Sequence, residues 1–152
     1  MTLIEFPRQM AEVIFPDSTL VRVPHDELDR TWPLVMKMID RAYAASGHDT
    51  PSDLLGWLKR GEGLLWLAIT SELILAAMTT SIVPRRNGTK AFRIWSLAGQ
   101  RIELWKSHIP AIEGYARSLG CDKICFDGRL GWQRILPGYH PITSAYEKEL
   151  AP

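Results

Sequence analysis

Between residues 64 and 97 the chain gives up helical spacing, and that change of period limits its possible folds more than any other feature. Residues 64–70, 73–83 and 90–97 are three apolar, β-rich runs. Ser71 and Glu72 separate the first two, which suggests a hairpin. The second and third are joined by Pro84-Arg85-Arg86-Asn87-Gly88, whose Asn-Gly pair is a strong short-range turn signal. Three such runs with two tight connections predict an antiparallel meander.

Helical spacing flanks the meander on both sides. A short strand is predicted at 19–23, closed by Pro24, then a turn at 26–30. Pro33 suits a helix's first turn but not its interior, so the next helix is placed at about 33–45, with Val35, Met38, Ile39 and Ala42 as its apolar stripe and Gly47 at its end. A second helix follows, with Thr50 as cap, Pro51 in first position and Asp53 in an acidic first turn. Its inward residues are Leu54, Leu55, Trp57 and Leu58, and Gly61 and Gly63 break it.

After the meander, Gly99 is the predicted stop, and a helix runs from about Gln100 to Gly120 on Trp105, Ile109, Ile112, Ala116 and Leu119. Pro110 lies inside it and is expected to kink or split it. A buried strand at 123–127 then implies a parallel pair with a crossover connection. A short helix at 130–136, the turn Pro137-Gly138-Tyr139 and an edge strand at 142–150 complete the chain. Residues 1–18 hold Pro7 and Pro16, show no sustained period, and read as an N-terminal arm on a single domain at 19–152.

Charge and cysteine usage exclude more than they assign. Lys plus Arg number 18 against 17 for Asp plus Glu, a net charge of +1 that gives no electrostatic reason to expect nucleic acid or an anionic membrane as partner. The N-terminus lacks a basic segment followed by an apolar run, and no apolar run approaches the roughly 18 residues of a membrane span. A cytoplasmic protein is expected. On one strand, Cys121 and Cys125 would lie about 13 Å apart, too far for a bridge. His25, His48, His108 and His140 show no metal-ligand spacing, so no metal is expected. No GxSxG and no Cys–His arrangement supports nucleophilic catalysis.

The element order β-α-α-β-β-β-α-β-α-β resembles the GNAT superfamily of N-acetyltransferases over about residues 19–150. The match is strongest at CDKICFDGRLGWQRILPGYH, which looks like the family's fifth strand, fourth helix and closing Gly-aromatic pair, with Tyr139 as the aromatic. The opening STLVRVPHDELDRTWPLVMKMI is also similar to the start of many members. The resemblance implies an α/β (α+β) fold, a mixed and mostly antiparallel sheet with helices on both faces. It implies acetyl-CoA or another acyl-CoA as cofactor, and a small-molecule or protein amine as acceptor. The pantetheine arm would lie between the fourth and fifth strands against Trp95, Ser96 and Leu97. The pyrophosphate would sit on Gly99, Gln100, Arg101 and Ile102, where helix N-terminal amides favour an anion; Arg129 would hold an anion at the cleft mouth.

Three departures stand against that pattern. The family's loop reads Gln/Arg-x-x-Gly-x-Gly/Ala, whereas SLAGQRIELW has one glycine. No tyrosine lies between Arg129 and Pro137, where many members keep an acid, and Arg134 occupies the position. KAFRIWSL lacks the fourth-strand carboxylate that often serves as base. Asp127 and Glu103 are the remaining candidate catalytic carboxylates. Against these roles, Asp127 with Arg129 can simply brace a turn, and Glu103 can simply favour its helix.

Two functions follow. One is acyl transfer from acyl-CoA to an amine. The other is a catalytically inactive module that binds partners or self-assembles, since GRLGWQRILPGY is also similar to GNAT-like proteins of phages and prophages, which would put it in host cytoplasm or virion. An enzyme needs the strands at 90–97 and 123–127 to part. A module should have that gap filled, with Trp95 or Trp132 as the plug and an apolar patch exposed near the arm.

Overall fold

Residues 11–14, 18–46, 53–71, 73–99, 102–127, 136, 138–140, 142 and 148–150 are described in the computed structural model. The meander forms as β3 (Leu64–Ile69), β4 (Ile74–Pro84) and β5 (Lys90–Gly99). Among the described residues they are the middle of a six-stranded sheet whose strands lie side by side in chain order, with β1 (Ala11–Ile14) and β2 (Thr19–Arg22) on one flank and β6 (Lys123–Phe126) on the other. Every neighbouring pair is antiparallel except β5 with β6, which is parallel because a helix connects them. The predicted hairpin turn is present: Gly88 N–H donates to the Arg85 carbonyl, and Arg85 N–H to that of Thr89.

Helices cover both faces. The helices α1 (Leu28–Ser46) and α2 (Leu54–Lys59) pack on one side through Val35, Ile39, Leu54 and Leu58 against Leu65, Leu67 and Ala77. On the other side α3 (Ile102–Ser118) packs Trp105, Ile109, Ile112 and Ala116 against Trp66, Met78 and Phe92. Each large apolar side chain so buried contributes about 1.5–3 kcal/mol.

Both interior prolines are tolerated for one reason. The helix α1 begins at Leu28, after a 3-10 turn at His25–Glu27, rather than near Pro33. Similarly, α3 runs unbroken through Pro110. A proline costs a helix the hydrogen bond to the carbonyl four residues back. Here Pro33 and Asp29, and Pro110 and Lys106, are all exposed residues, so water can replace that bond.

The α2 cap is Asp53, whose carboxylate accepts from Gly56 N–H at 3.0 Å; Thr50 and Pro51 lie outside the described residues. Within the first eighteen residues, Ala11–Ile14 pairs with β2 as a strand. The short helix expected at 130–136 and the strand at 142–150 fall largely outside the described residues. Of these, Leu136 is buried against the α3 side of the core.

Candidate active site

The β5–β6 pairing covers only the first half of β5. Its register joins Ala91, Phe92, Arg93 and Ile94 with Lys123, Ile124, Cys125 and Phe126, and stops there. From Trp95 to Gly99, β5 continues for five residues, or about 16 Å of strand, with no β6 partner. It stays bonded to β4 on its other edge, through Ser96↔Thr79, Leu97↔Met78, Ala98↔Ala77 and Gly99↔Ala76. Among the described residues, Ser96–Gly99 of β5 is paired with a strand on that one side.

A bulge sits where the β6 pairing ends. The β4–β5 register jumps from Ile94↔Thr80 to Ser96↔Thr79, so Trp95 is the extra residue. Its consequence is that Trp95 and Ser96 both face the α1 side, while Ile94 and Leu97 face α3. Trp95 Nε1–H donates to Ser81 Oγ on β4 at 2.8 Å, so the indole leans away from β6. Ser96 Oγ lies 2.7 Å from Thr79 Oγ1, and the Tyr43 hydroxyl of α1 lies 3.2 Å from the same atom. All three groups of this chain are buried, and burial pushes the Tyr43 phenol above its ordinary pKa.

On the same face, Arg93 spans the two strands. Its guanidinium carbon stands 4.4 Å from the Trp95 ring centroid, and Nη2 donates to Asp127 Oδ2 at 2.7 Å. Asp127 takes part in an ion pair with Arg93 of β5; the pairing with Arg129 expected from the sequence lies outside the described residues.

No family model matches the sequence, and no curated protein matches it. Solved structures do. An aminoglycoside acetyltransferase from an uncultured soil metagenomic sample, in complex with sisomicin, is 14% identical, with 88% of this chain and 97% of that one covered at a TM-score of 0.66. A protein described as a predicted acetyltransferase with acetyl-CoA, from Clostridium acetobutylicum, is 12% identical, covering 87% and 96% at a TM-score of 0.60. A GNAT family acetyltransferase of Staphylococcus aureus is 17% identical, covering 88% and 99% at a TM-score of 0.59.

The chain has the GNAT acetyltransferase fold.

None of these three GNAT-fold structures is described as a phage protein, and nothing in them supports the phage or virion association. The remaining sequence candidates can now be placed on the GNAT fold. Gly99 ends β5 with φ +135°, and a Cβ there would come within 2.8 Å of Ala76 Cβ and 3.0 Å of the Leu75 carbonyl oxygen, so the single glycine of the loop sits where no side chain fits. Ile102 and Glu103 open α3 immediately afterwards. Gln100, Arg101, Arg134 and Trp132 lie outside the described residues. Tyr139 is tied to α3 and β6, as its hydroxyl donates to Glu113 Oε2 at 3.1 Å and its ring meets that of Phe126 at a tilt of 49°. Burial and the Glu113 carboxylate together push its pKa up.

His108 is wholly buried, with Nε2 at 3.0 Å from Ser18 Oγ. Among the described residues no group of His, Cys, Asp and Glu could hold a metal ion, and no helix is long and apolar enough to cross a membrane.

Sequence reasoning missed Arg93 and the Tyr43–Thr79–Ser96 chain. The signal was present as polar residues inside apolar strand runs, which must find partners when buried.

Proposed function

We propose that this protein is an acyl-CoA-dependent N-acyltransferase acting on a small-molecule amine. One observation carries the reading: β5 continues past the end of its β6 pairing, from Trp95 to Gly99, and α3 starts at Ile102. An extended ligand with amide groups fits such a segment as an added strand would. The backbone of Trp95, Ser96 and Leu97 would hold the pantetheine arm. Gly99, Ile102 and the first amides of α3 would meet the pyrophosphate, with Gln100, Arg101 and Arg129 as the sequence candidates beside them. The Gly99 backbone, bare of a side chain, suits that close approach.

When bound, acyl-CoA supplies an activated thioester; the amine forms the C–N bond as C–S breaks, and a nitrogen proton ends on the sulfur. A backbone amide near Leu97 would polarise the carbonyl. Asp127 and Glu103 are the candidate groups for the amine's proton, Asp127 being the one on the gap side with Arg93. The compared structures support an amine acceptor, since one is an aminoglycoside acetyltransferase and another is described with acetyl-CoA.

Calorimetric titration with acetyl-CoA and with CoA tests this. Micromolar binding, weakened about tenfold by Arg101→Ala, is the expected result. Absence of heat at millimolar ligand, with the protein shown folded, would overturn it.

A further inference from the structure

Around the bulge, the hydroxyls of Tyr43, Thr79, Ser81 and Ser96 lie buried between the sheet and α1. Burying a hydroxyl costs free energy unless it is bonded, and each of these has a partner. Ser96 Oγ and Thr79 Oγ1 are 2.7 Å apart, and Thr79 Oγ1 and the Tyr43 hydroxyl 3.2 Å. Ser81 Oγ accepts from Trp95 Nε1–H at 2.8 Å.

These bonds straddle the bulge. Trp95 and Ser96 are neighbours on β5, yet the first reaches Ser81 and the second Thr79, on either side of Thr80 in β4. Strand register is ordinarily fixed by the alternation of side chains between a buried and a solvated face. At the bulge that alternation is suspended, because Trp95 and Ser96 share the α1 face. Their side-chain bonds therefore decide which of the two is the extra residue. Thr79 holds Ser96 opposite itself, and α1 holds Thr79 through Tyr43. Any shift would break a bond between buried hydroxyls in a low-dielectric layer, which is how a satisfied polar chain fixes a geometry.

We infer that the Tyr43–Thr79–Ser96 chain sets the place of the bulge, and thereby the direction of the Trp95–Leu97 backbone that receives acyl-CoA. The inference rests on the acyltransferase reading above and makes Tyr43 and Thr79 positioning residues. Without the chain, Ser96 can become the extra residue with Trp95 opposite Thr79, and the peptide groups of both turn.

Calorimetric titration with acetyl-CoA tests this on the native protein and on variants, with thermal unfolding as the control for folding. Thr79→Val keeps the side-chain shape and removes the hydroxyl, so affinity should fall roughly tenfold. Thr79→Ser keeps the hydroxyl and loses only the methyl group, and it should bind within about twofold of the native protein. Because Thr79→Val orphans two buried hydroxyls and can unfold the chain, the triple variant Tyr43→Phe, Thr79→Val, Ser96→Ala is measured beside it. With every member of the chain removed, it should keep a near-native Tm and still bind roughly tenfold more weakly. Should the triple variant not fold, Tyr43→Phe alone, which keeps the ring, should weaken binding at least about threefold. Native affinity in the folded triple variant, or in Tyr43→Phe where that variant decides, would overturn the inference. So would Thr79→Ser binding as weakly as the triple variant. Each of these results leaves the acyltransferase reading standing, whereas failure of the native protein to bind acetyl-CoA would overturn both.

Discussion

His108 shows what one buried residue contributes to pH dependence. Desolvation holds its imidazole down to about 4, against 6.5 when exposed. The unfolded chain takes up that proton below about pH 6.5 while the folded chain resists until about pH 4, so stability falls as pH drops through this window. Well above pH 6.5 both states are neutral and the group has no effect. Between pH 7 and pH 5 the loss should be about 2 kcal/mol from this residue, read as a lower urea midpoint, and His108→Gln should remove that part of the slope. Sequence spacing could not give the depth of His108, because the Ser18 partner is ninety residues away in sequence. Asp127 was legible in the same limited way: its position at the end of a strand could be read, whereas its partner Arg93 could not, since that pairing depends on how two strands align.

At the scale of elements, local signals worked where they were self-contained. Asn87-Gly88 marked the β4–β5 turn, and Gly120 marked the end of α3, where Cys121 N–H returns to the Ala116 carbonyl. Prolines misled, because their cost depends on whether water can reach the orphaned carbonyl, and Asp29 and Lys106, which carry those carbonyls, are exposed residues. The bulge at Trp95 had no sequence signature, for it exists only as a mismatch with β4. Gly99 is an element-scale constraint with a measurable cost. Gly99→Ala would force a side chain onto the Ala76 Cβ at a backbone angle that L-residues avoid. It should lower stability by about 2 kcal/mol, or roughly 4–8 °C in Tm, by calorimetry. An unchanged Tm would mean the strand end is free to shift.

For the whole molecule, the order of elements was enough to reach the fold, because three antiparallel strands followed by a helix and a parallel strand leave few ways to build one sheet. The site was legible only in part. Its backbone segment, Trp95 to Leu97, could be located by order, while the side chains around it arise from α1, β4 and β6 meeting there. The central proposal is that the half of β5 beyond its β6 pairing and the start of α3 bind acyl-CoA. Amide hydrogen exchange with and without acetyl-CoA tests it most directly. Amides of Trp95–Gly99 that face the gap, and those of the first turn of α3, should exchange more slowly with ligand, while those of β2 should not change. Unaltered exchange along Trp95–Gly99 with slowing elsewhere would contradict it.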